Sequence, residues 1–194
     1  SFIIVALSVF TMIFVLLKRY EEQRKQLLTL SENLEFAANH DPLTRLYNRR
    51  YLVKQVDGWM RIPGRNFWII LMDVDDFKVV NDTYGHSNGD TVIKVLCSII
   101  KKKISDYGLG FRYGGEEFAV LFTGIDEEKV LSIVEDIRTE FRCYYFQFMR
   151  KDGLTVSCGI ARYRNNEKGE DWFNRTDEAL YKAMLKLPVK QMRR

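Results

Sequence analysis

The chain is short of the residues that build metal cages and disulfide frames. Its three cysteines, Cys97, Cys143 and Cys158, are odd in number and lack paired spacing. They read as reduced, mostly buried thiols of a cytosolic domain. The two histidines, His40 and His86, are too few and too distant for a zinc cluster. A large excess of one charge sign is also missing. The net charge is +4 over 194 residues, and the basic residues form no stripe interleaved with aromatics. That pattern argues against a nucleic acid polymer as partner. Internal repeats and low-complexity segments are absent. With 46% hydrophobic content, the length suits one globular domain plus an appendage.

The appendage comes first. Phe2 to Leu17 is apolar apart from Ser8 and Thr11, and it stops at Lys18-Arg19. As a helix it would span about 24 Å, slightly short of a bilayer core of roughly 30 Å. Lys18, Arg19, Arg24 and Lys25 put the rest of the chain on the cytoplasmic side. We therefore expect a membrane-span fragment at residues 1–17. A buried core helix and a signal-peptide core are the competing readings, and the latter lacks a basic start and a small-residue cleavage site. Tyr20, Leu27 and Leu34 then recur every seven residues, with Leu30 and Ala37 at the complementary positions. Residues 18–38 read as a short parallel coiled coil that dimerises the chain, or as one amphipathic helix on its own domain.

Pro42 ends that helix, since proline disfavours helical geometry in the residue before it. Beyond it the pattern predicts a helix over Leu43–Val56 and a strand in the apolar run Phe67–Met72, buried on both faces. A helix over Asp90–Lys103 comes next, then a hairpin around Gly114-Gly115 ending in Phe118–Phe122. A helix from Asp126 to about Phe141, a strand over Leu154–Ala161 and a closing helix over Trp172–Lys186 complete the series. The expected fold is α/β, a central mixed or antiparallel sheet flanked by helices, preceded by the span and the coiled-coil helix.

Chemistry concentrates in two places. Asp73 lies where the buried strand emerges, with Asp75 and Asp76 just beyond. Residues 112–118 read Arg-Tyr-Gly-Gly-Glu-Glu-Phe, a tight turn with bare backbone that carries Glu116 beside Asp73. Crowded carboxylates repel one another, so a divalent cation carrying phosphates is one reading and a solvated strand end the other. Asp90 could equally cap the helix before Thr91-Val92-Ile93. Gly85 and Gly89 fit turns, and His86 reads as a turn-stabilising side chain.

Further motifs sit at fixed distances. Asp73-Val74-Asp75-Asp76-Phe77-Lys78 is followed by Asn81-Asp82, Gly85-His86 and Gly89-Asp90. Asp41-Pro42-Leu43-Thr44 opens the domain, and Asp177-Glu178-Ala179-Leu180-Tyr181 lies near its end. In this order and spacing the chain resembles the GGDEF family of diguanylate cyclases, from about Asp41 to Tyr181. The signature stands here as Gly114-Gly115-Glu116-Glu117-Phe118, with a Glu variant at its third position that is compatible with activity in that family.

The resemblance implies a nucleotidyl-cyclase, palm-like domain over residues 39–194. Its reaction is the condensation of two GTP into cyclic di-GMP, with release of two pyrophosphates. It implies that Asp73, Glu116 and the Val74 carbonyl hold one or two Mg²⁺, Mn²⁺ being an alternative. Glu117 would take the hydroxyl proton. Asn81 and Asp90 would read guanine, while Lys78, the backbone of Asp76 and Phe77, and Gly114 would meet the substrate. Asp75 stays open between the metal and a structural salt bridge. The expected setting is a homodimer on the inner membrane of a bacterium, its catalytic domain in the cytoplasm, driven by an upstream sensor. Three departures stand out. Met184 and Pro188 occupy positions where the family carries a phosphate-gripping Lys and Arg. The nearest match to its inhibitory product site is Lys103-Ile104-Ser105-Asp106, with Lys for Arg and two residues too early. The alternative function is therefore a catalytically weak or inactive domain that binds GTP or cyclic di-GMP. Another nucleotide cyclase or a polymerase-like palm would leave Asn81 and Asp90 without a shared purpose.

Overall fold

The computed structural model describes residues 2–185 apart from 63, 65, 105 and 150–152. It divides into two units, residues 1–39 and 40–194. The first is one uninterrupted helix, α1 (Phe2–Asn39). Its N-terminal part is long and apolar enough to cross a membrane by length and composition. The side chains of Tyr20, Leu27, Leu30 and Leu34 are exposed along it.

The second unit is built on a five-stranded sheet in the order β1-β3-β4-β2-β5. Its strands are β1 (Tyr47–Asn48), β2 (Phe67–Val74), β3 (Gly108–Arg112), β4 (Glu117–Thr123) and β5 (Val156–Arg162). Among the described residues only the β1–β3 pair is parallel; β2 runs antiparallel to both β4 and β5. The helices are α2 (Arg49–Trp59), α3 (Phe77–Tyr84), α4 (His86–Ile104), α5 (Glu127–Arg142) and α6 (Gly169–Leu185).

The unbroken apolar run of β2 supplies a core on each side of the sheet, because successive side chains point to opposite faces. Trp68, Ile70, Met72 and Val74 pack with α4 and α5. Phe67, Ile69 and Leu71 pack with Leu52 and Val56 of α2 and Trp172 and Leu180 of α6. Gly159 on β5 lets α6 lie directly on the sheet, since a Cβ there would collide with the backbone of Thr176 and Leu180. The wholly buried Trp172 locks this contact, its Nε1 donating to the Ala161 carbonyl at 3.0 Å.

Several boundaries differ from the sequence expectation. The helix expected from Leu43 begins only at Arg49, capped by the Asn48 side chain accepting from the Tyr51 amide. Asp41 accepts from both the Thr44 amide and hydroxyl, and Arg45 adopts φ 59. Such side-chain bonds offer the backbone a turn in place of a helix. The helix expected from Asp90 starts earlier, at His86, after Gly85 with φ 84. Asp90 is therefore inside α4 and caps nothing. Gly89 is helical too, not a turn residue. Asn88, rather than His86, ties down the α3–α4 corner, donating to the Tyr84 carbonyl at 2.7 Å. Among the cysteines, Cys97 is buried but Cys143 is exposed. By contrast α5 starts as read, with Asp126 accepting from the Lys129 amide.

Candidate active site

The register of three strands sets the acidic cluster. Asp73 lies opposite Glu117 on β4 and opposite Ser157 on β5. Directly paired residues of antiparallel strands point to the same face. Leu71 and Ala119, two residues from Asp73 and Glu117, belong to the α2/α6 core, so this row opens on the α6 side. The sequence paired Asp73 with Glu116; in the sheet Glu117 is its partner and Glu116 sits at the turn. Both act on it. Burial pushes the Asp73 carboxyl up to about 7, and the charges of Glu116, Glu117 and Asp75 add to the rise.

Asp75 makes structural contacts, though not the salt bridge offered as one of its two expected roles. It accepts from the Thr155 hydroxyl at 2.6 Å and the Ser157 hydroxyl at 2.7 Å, and its amide donates to the Thr155 carbonyl. Both carboxylate oxygens are thus engaged in joining β2 to β5 by neutral hydrogen bonds, not a salt bridge. Among the described residues, no three His, Cys, Asp or Glu groups form a ready-made metal cage. The oxygen-only donors that do gather suit a hard cation that leaves most positions to water and phosphate.

The turn itself is held from below. The amides of Tyr113 and Gly114 both donate to the Glu117 carbonyl, at 2.8 and 3.2 Å. Neither turn glycine needs a left-handed backbone. Gly114 is required for space, because a Cβ there would collide with the Glu117 carboxylate, and nothing approaches the Gly115 position. Arg112 then clamps the turn. Its Nε donates to the Gly114 carbonyl at 3.1 Å and its Nη2 to the Gly115 carbonyl at 2.8 Å. Its Nη1 reaches both oxygens of Asp41 at 3.1 Å. Burial raises the Asp41 carboxyl, but hydrogen bonds from Thr44 and Arg112 outweigh it and the net shift is downward. Neither Arg112 nor Asp41 has a role that its place in the sequence announces. The available signal was an arginine next to a turn with two bare carbonyls.

A second group of candidate residues lies on α3 and α4. Asn81 on α3 lies against Gly89 on α4, where a Cβ would strike its carboxamide oxygen and the Phe77 ring. Asn81 thereby lies against the residue that precedes Asp90, and Asp90 is exposed and free of capping duty. At the start of α3, Asp76 adopts φ 57 and makes no side-chain cap bond. The first amides of α3 are left available to an anion, with Lys78 exposed beside them. Met184 on α6 is exposed, while Lys186 and Pro188 lie outside the described residues. The Lys103 ammonium is occupied by Asp136 at 3.6 Å and Glu140 at 3.1 Å.

Residues 38–186 match the family described as "Diguanylate cyclase, GGDEF domain". The chain belongs to the GGDEF family. It is 36% identical over 157 residues to the diguanylate cyclase DgcM of Escherichia coli, covering 79% of this chain and 38% of that protein. Over 167 residues it is 33% identical to diguanylate cyclase DgcP of Pseudomonas aeruginosa, covering 84% of this chain and 23% of that one. The chain thus spans less than half the length of these curated relatives. Among solved structures it is similar to the coiled coil and GGDEF domain of DgcB from Caulobacter crescentus in complex with c-di-GMP. That similarity has a TM-score of 0.79 at 30% identity and covers 85% of this chain and 90% of that one. The GGDEF signature residues Gly114 to Phe118 are thus the hairpin that Arg112 clamps and Asp73 faces.

Proposed function

We propose that this GGDEF domain is the catalytic output of a membrane-anchored diguanylate cyclase that condenses two GTP into cyclic di-GMP. The observation that carries the reading is the row of Asp73 and Glu117 beside the Arg112-clamped turn, with the Asp73 carboxyl held at about 7. A carboxylate crowded to that point gains most from a cation. Asp73, Glu116 and the Val74 carbonyl would hold Mg²⁺, or Mn²⁺ in its place. The ion's contribution is to neutralise phosphate charge and lower the pKa of the attacking hydroxyl.

The chain's own residues do the rest. Asp90, with Asn81, accepts from guanine N1–H and the 2-amino group, donors that adenine does not offer at those positions. An acid that the wrong base would cover and leave unpaired makes such a site discriminating. The backbone amides of Asp76 and Phe77, and the Lys78 ammonium, take the β- and γ-phosphates. The 3′-oxygen of one GTP bonds to the α-phosphorus of the other. The bond from that phosphorus to the pyrophosphate oxygen breaks, and Glu117 accepts the hydroxyl proton. Two such steps close the ring, so two subunits must face each other. The heptad positions Tyr20, Leu27 and Leu34 of α1 would pair two chains, its apolar start would anchor them in the inner membrane, and an upstream sensor would act through the pair.

A second reading, binding without turnover, draws on Met184, which puts a thioether where the family carries a lysine. Incubating the chain with GTP and Mg²⁺ and assaying for cyclic di-GMP and pyrophosphate separates the two. Product that disappears in Glu116→Gln supports the cyclase; tight GTP binding with no product supports the binding module.

A further inference from the structure

The clamped turn has a second flank, on the β1 side. There the Arg49 guanidinium lies over the Tyr113 ring, 4.6 Å from its centroid. Tyr113 is partly buried against the α2/α6 core, stacks with Phe173, and donates its amide to the Glu117 carbonyl. Arg49 is therefore tied through one residue to the row that holds Asp73 and Glu117. It is exposed, and among the described residues no carboxylate forms an ion pair with it. Stacking uses the flat face of a guanidinium and leaves its N–H edge free to donate. Arg112, by comparison, is wholly spent on Asp41 and the turn carbonyls.

Position decides what that free edge serves. The strand order places β4 and β3 between β2 and β1. Arg49 opens α2, which packs on one face of that sheet, whereas α3 and α4, which carry Lys78, Asn81 and Asp90, pack on the other. A nucleotide held by those residues sits on one side of the turn, and the nucleotide it reacts with must arrive over the other. That second triphosphate passes Glu117, an exposed carboxylate of its own sign. We infer that Arg49, held on the Tyr113 ring, is a substrate-binding residue that acts in trans, gripping the phosphates of the GTP carried by a second copy of this chain. The inference rests on the cyclase reading above. The bonds made and broken are unchanged; Arg49 donates to the phosphate oxygens and Tyr113 positions it.

The test uses the full chain in detergent. Arg49→Ala should lower kcat by about ten- to hundredfold, the worth of a charge-assisted contact. Arg49→Lys should recover part of the loss, keeping the charge without the planar fork. Affinity for 3′-deoxy-GTP, which lacks the attacking hydroxyl, should stay within about twofold under dilution to monomer, since the contact is made to the other subunit's nucleotide. A second readout needs no turnover. 3′-deoxy-GTP with Mg²⁺ should promote association of the wild-type chain in sedimentation, and Arg49→Ala should lose that gain. If the wild type makes no cyclic di-GMP, the cyclase reading fails while association still judges Arg49. A folded Arg49→Ala protein with wild-type kcat and wild-type association overturns the inference. So does a loss of monomer affinity matching the loss in kcat/KM, or a wild type whose association ignores nucleotide.

Discussion

Replacing Asp73 with asparagine should stabilise the metal-free domain at pH 8 while removing its activity. The carboxyl titrates at 3.8 when free and at about 7 in the fold. Between those values the folded state keeps a proton that the unfolded chain has released. The associated stability is fully present below pH 3.8 and is lost as the pH rises through 7. At about 1.4 kcal/mol per pH unit the shift corresponds to roughly 4 kcal/mol. The side chain is only partly buried, so solvent screening brings this nearer to about 2 kcal/mol. For a domain of this size that is a melting shift of about 4–8 °C. Asparagine keeps the shape and removes the charge. Thermal unfolding of wild type and Asp73→Asn in a chelator at pH 8 and pH 5 reads the effect directly: the variant should melt higher at pH 8, and the gap should narrow at pH 5. Added Mg²⁺ should raise the wild type at pH 8 and the variant far less, because only the ionised carboxylate takes the cation. An Asp73→Asn protein that melts lower than wild type at pH 8 without metal, or a gap indifferent to pH, would refute the electrostatic account.

Further expectations concern the rest of the site. Arg112→Lys cannot serve Asp41 and two carbonyls at once, so it should cost about 1–3 kcal/mol in urea denaturation and lower kcat as the turn drifts; wild-type values for both would discard the clamp. Met184→Lys restores a phosphate contact of roughly 1.5–3 kcal/mol and should lower KM for GTP about ten- to hundredfold with kcat little changed. An unchanged KM would mean that α6 does not meet the phosphates. Micromolar cyclic di-GMP should leave the initial rate unaltered, because Lys103 is already taken by Asp136 and Glu140; inhibition that Asp106→Ala abolishes would contradict this. Specific activity should rise with protein concentration, and polar replacements at Leu27 and Leu34 should move that rise to higher concentration. Activity independent of concentration in a monomeric protein would exclude the stalk.

Local patterns were legible wherever one short segment carries its own physics. The apolar run from Phe67 is typical of a strand buried on both faces, and Asp126 ahead of an amphipathic stretch starts a helix. The chain alone also placed Asp73 at a strand end and the acidic pair at a glycine turn. The features it hid depend on residues far apart in sequence. Glu117, not Glu116, lies across from Asp73 because strand register is fixed by two packed faces, and a shift of one residue exchanges them. Asp90 looked like a cap because the helix start is set four residues earlier by Gly85, whose φ of 84 ends α3. Asp41 and Arg112 meet across 71 positions, a contact no window of sequence contains. Residue order was thus enough to single out the candidate carboxylates and the strands that carry them. Folding selected which carboxylate faces which, which arginine is consumed in holding the turn and which is left free, because register and packing, unlike periodicity, are properties of the closed sheet.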